Sequence, residues 1–188
     1  MQRPNSDPGW GDALKRVPAA LVPTRGMRMA AGGTNGLTIM RLVWITFVAS
    51  MLLIGVAVFA IDRALPGGGA DGRVVAMVVA GLGVFAQVAA IRFVPAITGT
   101  TMPAVRATAQ RAFFLRIAFA EPAALLGFLG FVLSGNAAVY VVGFVVGMAG
   151  MADAAPTASW IADGQKELQA SGSDVELLAA LVSGGITR

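Results

Sequence analysis

Few side chains in this sequence can do acid–base or ionic chemistry, and three charged ones fall within its last two long apolar runs. Glu121 lies within residues 113–134 (FFLRIAFAEPAALLGFLGFVLS), a run long enough to cross a bilayer. An ionised carboxylate at that depth is costly unless a partner, a bundle interior or an aqueous path receives it. Arg116 stands about one turn inside the start of the same run, and Asp153 about one turn inside the end of a later one. That depth makes them candidates for an ion pair at the edge of the hydrocarbon. Glu121 sits roughly 10 Å deeper than the start of its run and about 140° around the helix from Arg116, so those two are poorly placed to pair. Pro122 follows, and its missing N–H frees a backbone carbonyl one turn earlier.

Glu121 can serve either of two ends. It can hydrogen-bond across a helix bundle, for example to Thr46, Ser50, Gln87 or Tyr140, or it can bind and release a proton or cation. A conducting path needs a series of polar groups, and only one deep carboxyl is present, which favours packing. Other chemistries are excluded by composition. The 188 residues contain no Cys and no His. Disulfides, thiol nucleophiles, thiolate or imidazole metal sites and His-based triads therefore fall away. No catalytic residue, metal site or cofactor is expected.

The elements that must position these residues are transmembrane helices. Apolar residues make up 56% and charged residues 13% of the chain, and mean hydropathy is +0.75, a composition of polytopic membrane proteins. Four blocks have spanning length: 40–61, 73–93, 113–134 (preceded by a polar turn from Pro103) and 137–155. Residues 1–38 are rich in Pro, Gly and Arg and read as a mobile basic tail, with Met27, Met29 and Met40 as possible alternative starts. Within it Ala13 to Val22 is a candidate for the membrane surface, interrupted by Pro18. Residues 39–156 form the transmembrane domain and 157–188 an amphipathic tail. In that tail a short helix over 157–169 precedes a break at Ser171 and Gly172. Ser173 to Glu176 match a capping box before the stripe Val175, Leu178, Leu181 and Val182.

Charge sets the expected orientation. Twelve basic residues (Arg3, Lys15, Arg16, Arg25, Arg28, Arg41; Arg92, Arg106, Arg111, Arg116; Lys166, Arg188) fall on one side of the spans, against Arg63 and Arg73 on the other. The positive-inside rule then places both termini in the cytoplasm. The net charge of +4 is spread beside the spans with no basic–aromatic stripe, so nucleic acid is not an expected partner. Ser134, Gly135 and Asn136 leave a very short loop, so the third and fourth helices form a tight hairpin. Small residues recur on both: Ala123, Gly127, Gly130 and Ser134 on one, Gly143, Gly147 and Gly150 on the other. Such faces let helix backbones approach closely in lipid.

The pattern Arg116-Ile117-Ala118-Phe119-Ala120-Glu121, with Arg41 opening the first helix, Pro95 after the second and Pro156-Thr157 after the fourth, resembles a group of small four-span bacterial membrane proteins. The likeness covers about 38–168 and implies topology. The Glu121 segment is also similar to the carboxylate helix of rotary ATPase proteolipid (c) subunits, which implies a proton-carrying role for Glu121. Against that likeness, the glycine-rich helix here follows the Glu helix, and no polar docking loop separates them. The resulting expectation is an all-α integral membrane four-helix bundle with cytoplasmic termini. It would be a non-enzymatic structural or accessory protein of the bacterial inner membrane. Its partners would be the lipid bilayer and a larger membrane complex or a homo-oligomer.

Overall fold

The computed structural model describes residues 7–20, 35–62 and 70–183. Arg3, Arg25, Met27, Arg28, Met29, Arg63 and Arg188 lie outside the described residues. Every regular element among the described residues is a helix: α1 (Gly9–Ala20), α2 (Gly36–Asp62), α3 (Gly72–Phe93), α4 (Met102–Ser134), α5 (Ala137–Ala154), α6 (Ala158–Ala170) and α7 (Leu177–Val182). Helices α2 to α5 are long and apolar enough to cross a membrane, the pattern of a multi-pass membrane protein. Two compact units divide the chain, one drawn from 1–46, 95–113 and 155–188, the other from 47–94 and 114–154.

The second, spanning unit is built around α4 and α5. Of their most apolar windows 44% is buried, against 11% in α2 and α3, so the hairpin is central and the other two helices flank it. A two-residue connection turns the hairpin. Gly135 has φ +63°, a conformation that glycine adopts without a Cβ penalty, and its N–H donates to Phe131 O at 2.7 Å. The exposed backbone at the start of α5 is capped by Asp62, which accepts from Ala137 N at 3.1 Å. At that end Val58, Phe131, Ala137 and Tyr140 form a buried cluster.

The small-residue faces of the hairpin meet. A Cβ at Gly127 would stand 3.0 Å from Gly143 Cα, and one at Gly143 would stand 2.6 Å from Gly127 Cα and collide with Ala123 O. One at Gly147 would fall 2.8 Å from Met51 Cε, and one at Gly130 2.6 Å from Val139 Cγ1. Helix α4 is continuous from Met102 through Pro122 to Ser134. The polar segment near Pro103, read from sequence as a turn, is therefore its first turns. Proline near a helix start already has the required φ and loses no intrahelical bond.

The other, terminal unit contains α1, the first turns of α2 and α4, and α6 and α7. Leu37, Met40, Val105, Ala109, Leu168, Leu177 and Leu181 are all fully buried. Where the sequence reads as a tail, Gly9–Ala20 is helical. Pro18 falls in the last turn of α1, where it deletes one backbone bond rather than splitting the helix. Asn35 caps α2, its Oδ1 accepting from Thr38 N at 2.7 Å.

The capping box at Ser173 does not form. Helix α7 begins at Leu177 with Glu176 at the cap position and no side-chain cap of its own. Ser173 Oγ instead accepts from Val175 N at 3.3 Å. The free N–H of Leu177 donates to Gln165 Oε1 on α6 at 2.7 Å, and Gln165 Nε2 donates to Val175 O at 3.2 Å. The buried residues of α7 are correspondingly Leu177, Ala179, Ala180 and Leu181, with Leu178 and Val182 half-buried.

Replacing Gly143 by Ala should lower stability by about 1–3 kcal/mol through backbone overpacking. Gly81→Ala, where the added Cβ meets nothing within 4 Å, should be neutral or stabilising by up to about 1 kcal/mol. Denaturant titration in mixed micelles, followed by circular dichroism, compares the two. Equal behaviour of both variants would contradict the close approach at Gly143.

Candidate functional site

Glu121 is half-buried on the flank of α4 beside Ile117 and Ala124, which face the interior. Among the described residues its carboxylate makes no hydrogen bond and no ion pair. The partners the sequence offers are engaged elsewhere. Thr46 Oγ1 donates to Leu42 O at 2.9 Å, Tyr140 donates its hydroxyl proton to Met51 O, and Ser50 is likewise engaged. Gln87 lays its amide flat against Gly150, where a Cβ would overlap it, and its Nε2 is buried without a hydrogen-bond partner. Ser134 Oγ donates to Gly130 O at 2.8 Å. Tyr140 and Ser134 thus end on backbone carbonyls, as burial in an apolar medium favours, and none of these groups ends on Glu121.

Arg116 and Asp153 do not pair. Met151 and Ala154 take the inward positions of that turn of α5, leaving Asp153 exposed, while Arg116 is half-buried on α4. Equal depth on adjacent helices was the basis for expecting the pair. Depth does not fix the direction in which each side chain leaves its helix.

The most developed polar site lies instead in the terminal unit, around Arg41. Only 1% of this arginine is exposed. Its Nη1 and Nη2 donate to Asp7 Oδ1 and Oδ2 at 2.5 and 2.8 Å, and Nε donates to Pro156 O at 3.3 Å. The guanidinium stands 5.1 Å from the centroid of the Trp10 ring, and Trp10 meets Trp44 edge-on at 5.4 Å. A planar guanidinium suits this set, because it presents a two-pronged donor to a carboxylate and a flat face to an aromatic ring. Asp7 also receives Gly9 N at 2.8 Å, at the start of α1.

The hydrogen bond from Arg41 is the largest influence on the Asp7 carboxyl and holds it below its ordinary value of 3.8. Partial burial pushes the other way, and the Gly9 N–H assists Arg41. Sequence reading counts Arg41 only as a topology signal. The available hint is that Arg41 and Pro156 are both landmarks of the four-span outline, yet nothing local indicates that they touch.

The arrangement holds elements together. The guanidinium's contacts are hydrogen bonds and a ring contact, so its chemistry here is binding and positioning. Among the described residues no group of three acidic side chains could hold a metal ion. No protein-family model, curated protein or solved structure matches the chain.

A folded-state carboxyl value below the ordinary one means that the Asp7–Arg41 pair contributes fully above about pH 4. That contribution is lost as the pH falls through the lowered value. Asp7→Asn should cost about 1 kcal/mol at pH 7, a charge-assisted pair discounted for the partial exposure of Asp7. The gap between wild type and variant should narrow when the pH is taken from 7 to below 4. Thermal unfolding in detergent, read by tryptophan fluorescence at both pH values, checks this, and a gap independent of pH would contradict it.

Proposed function

We propose that this chain is a small non-enzymatic protein of the bacterial inner membrane. In this reading it crosses the membrane four times with both termini in the cytoplasm and acts as a structural or accessory subunit of a larger membrane complex or homo-oligomer. The observation that carries this reading is Glu121, a half-buried carboxylate within a spanning helix that has no partner among the described residues of its own chain. Such groups in lipid are met by a partner or by water. The hydroxyls of Tyr140 and Ser134 in the same unit are committed to Met51 O and Gly130 O. A donor from a second protein supplies what the chain leaves open. Lateral association also agrees with the broad apolar surface of the flanking helices, including Leu53 and Val56 on α2 and Phe85 and Ile91 on α3. The twelve-to-two distribution of basic residues supports the orientation.

A second reading rests on the same residue. The alternative is Glu121 as carrier in a proteolipid-like subunit, supported by the likeness of its segment to the carboxylate helix of rotary ATPase proteolipids. Substitution separates the two. Glu121→Gln keeps the hydrogen-bonding outline and removes the titrating proton, whereas Glu121→Ala removes both. Under the accessory reading, Gln preserves the amount of protein in the membrane and its native-gel size, and Ala reduces both several-fold. Reconstituted wild type then shows no proton flux above protein-free vesicles. Proton flux by wild type that Glu121→Gln abolishes would overturn this reading in favour of the carrier.

A further inference from the structure

Helix α1 places its apolar and polar residues on opposite sides. At about 100° per residue, Trp10, Ala13, Leu14 and Val17 share one arc, and Asp12, Lys15 and Arg16 occupy the other. The apolar arc is only partly covered by protein: Ala13 is fully buried, while Leu14 is 57% exposed. An uncovered leucine on an amphipathic helix needs a stated environment, and the depth of α1 along α2 supplies one.

Helix α2 has 27 residues, which makes it roughly 40 Å long against a hydrocarbon layer of about 30 Å. Its ends therefore project into the headgroup layers. Arg41 is charged, so the hydrocarbon begins beyond it, and Trp44 follows less than one turn later. Helix α1 contacts α2 at this level, through the Trp10–Arg41 and Trp10–Trp44 contacts, with the Asp7–Arg41 pair fixing it there. Two tryptophans at the boundary of a span are themselves characteristic of the membrane–water interface. Helix α1 itself carries Lys15 and Arg16 against Asp12, and Asp7 is neutralised by Arg41, leaving net positive charge on this helix.

We propose that α1 lies in the plane of the membrane surface, with Leu14 in the boundary between headgroups and acyl chains and the basic residues beside it contacting anionic phospholipid headgroups. The Arg41 clasp then has a second consequence: it sets the depth and direction of a surface helix at the mouth of the first span. Apolar burial and attraction to anionic lipid both contribute to such binding.

The absence of cysteine from the whole sequence makes the test direct. Full-length Leu14→Cys and Lys15→Cys variants carry a nitroxide label in proteoliposomes of phosphatidylcholine, with and without phosphatidylglycerol. Accessibility to oxygen, which concentrates in lipid, is compared with accessibility to a water-soluble nickel chelate. Oxygen should exceed nickel several-fold at position 14, and the order should reverse at position 15. Phosphatidylglycerol should deepen position 14, and adding Lys15→Glu should remove that effect. Adding Asp7→Asn to Leu14→Cys should raise label mobility and nickel access as the clasp loosens. A water-accessible label at position 14 overturns the proposal, because α1 then stands off the bilayer. Protection from both reagents also overturns it, because a protein surface such as a second copy then covers Leu14. Immersion without any phosphatidylglycerol effect overturns the anionic-lipid assignment.

Discussion

A guanidinium that keeps only 1% of its surface exposed must find inside the protein what water would have given it. Removing such a charge from solvent costs several kcal/mol unless its donors are satisfied. Arg41 meets that demand with groups from distant parts of the chain: a carboxylate before α1, a carbonyl between α5 and α6, and the face of Trp10 on α1. Their common need to reach one cation brings the segment before the first span and the segment after the last span to the same turn of α2. The apolar residues of the terminal unit, from Leu37 and Met40 to Leu177 and Leu181, pack in the unit that this clasp closes.

The spanning unit answers a different constraint. In lipid there is no hydrophobic force to press one apolar helix against another, so contact depends on surfaces that fit closely. Gly127 and Gly143 let α4 and α5 approach until no Cβ could be added between them. Gly130 and Gly147 extend the same fit to valine and methionine side chains. Gly83 shares in it as well: a Cβ there would fall 2.8 Å from Val146 and 3.0 Å from Ala123. A lone glycine in an apolar helix gave no sequence signal of this, because its packing partners lie on two other helices.

Polar groups tie elements together in both units, Tyr140 and Asp62 linking α5 to α2 in the spanning one. In the terminal unit they join separate elements: Arg106 Nε donates to Ala180 O at 2.9 Å, Glu167 receives Ile97 N at 3.2 Å, and Gln165 completes the start of α7. In the spanning unit Tyr140 and Ser134 close on backbone carbonyls, and Gln87 is pressed against Gly150. Glu121 stands apart from both patterns. Its lack of a partner within the described chain directs attention outward, to whatever surrounds α4 in the membrane.

Much of this was fixed by sequence alone. Hydropathy and helical spacing determined four spans, the short turn at Gly135 and Asn136, and the glycine faces, because these depend on residues within a few turns of one another. The absence of Cys and His determined which chemistries are closed to the protein. Tertiary structure alone decided the direction of each polar side chain and its partner. Arg41 reaches Asp7 across 34 positions and Pro156 across 115, and no local period encodes either distance. The cap of α7 moved from Ser173 to Gln165, and the Arg116–Asp153 pair did not form, for the same reason. Spacing along a chain fixes the depth and face of a residue, but a hydrogen bond depends on which other helix occupies that face.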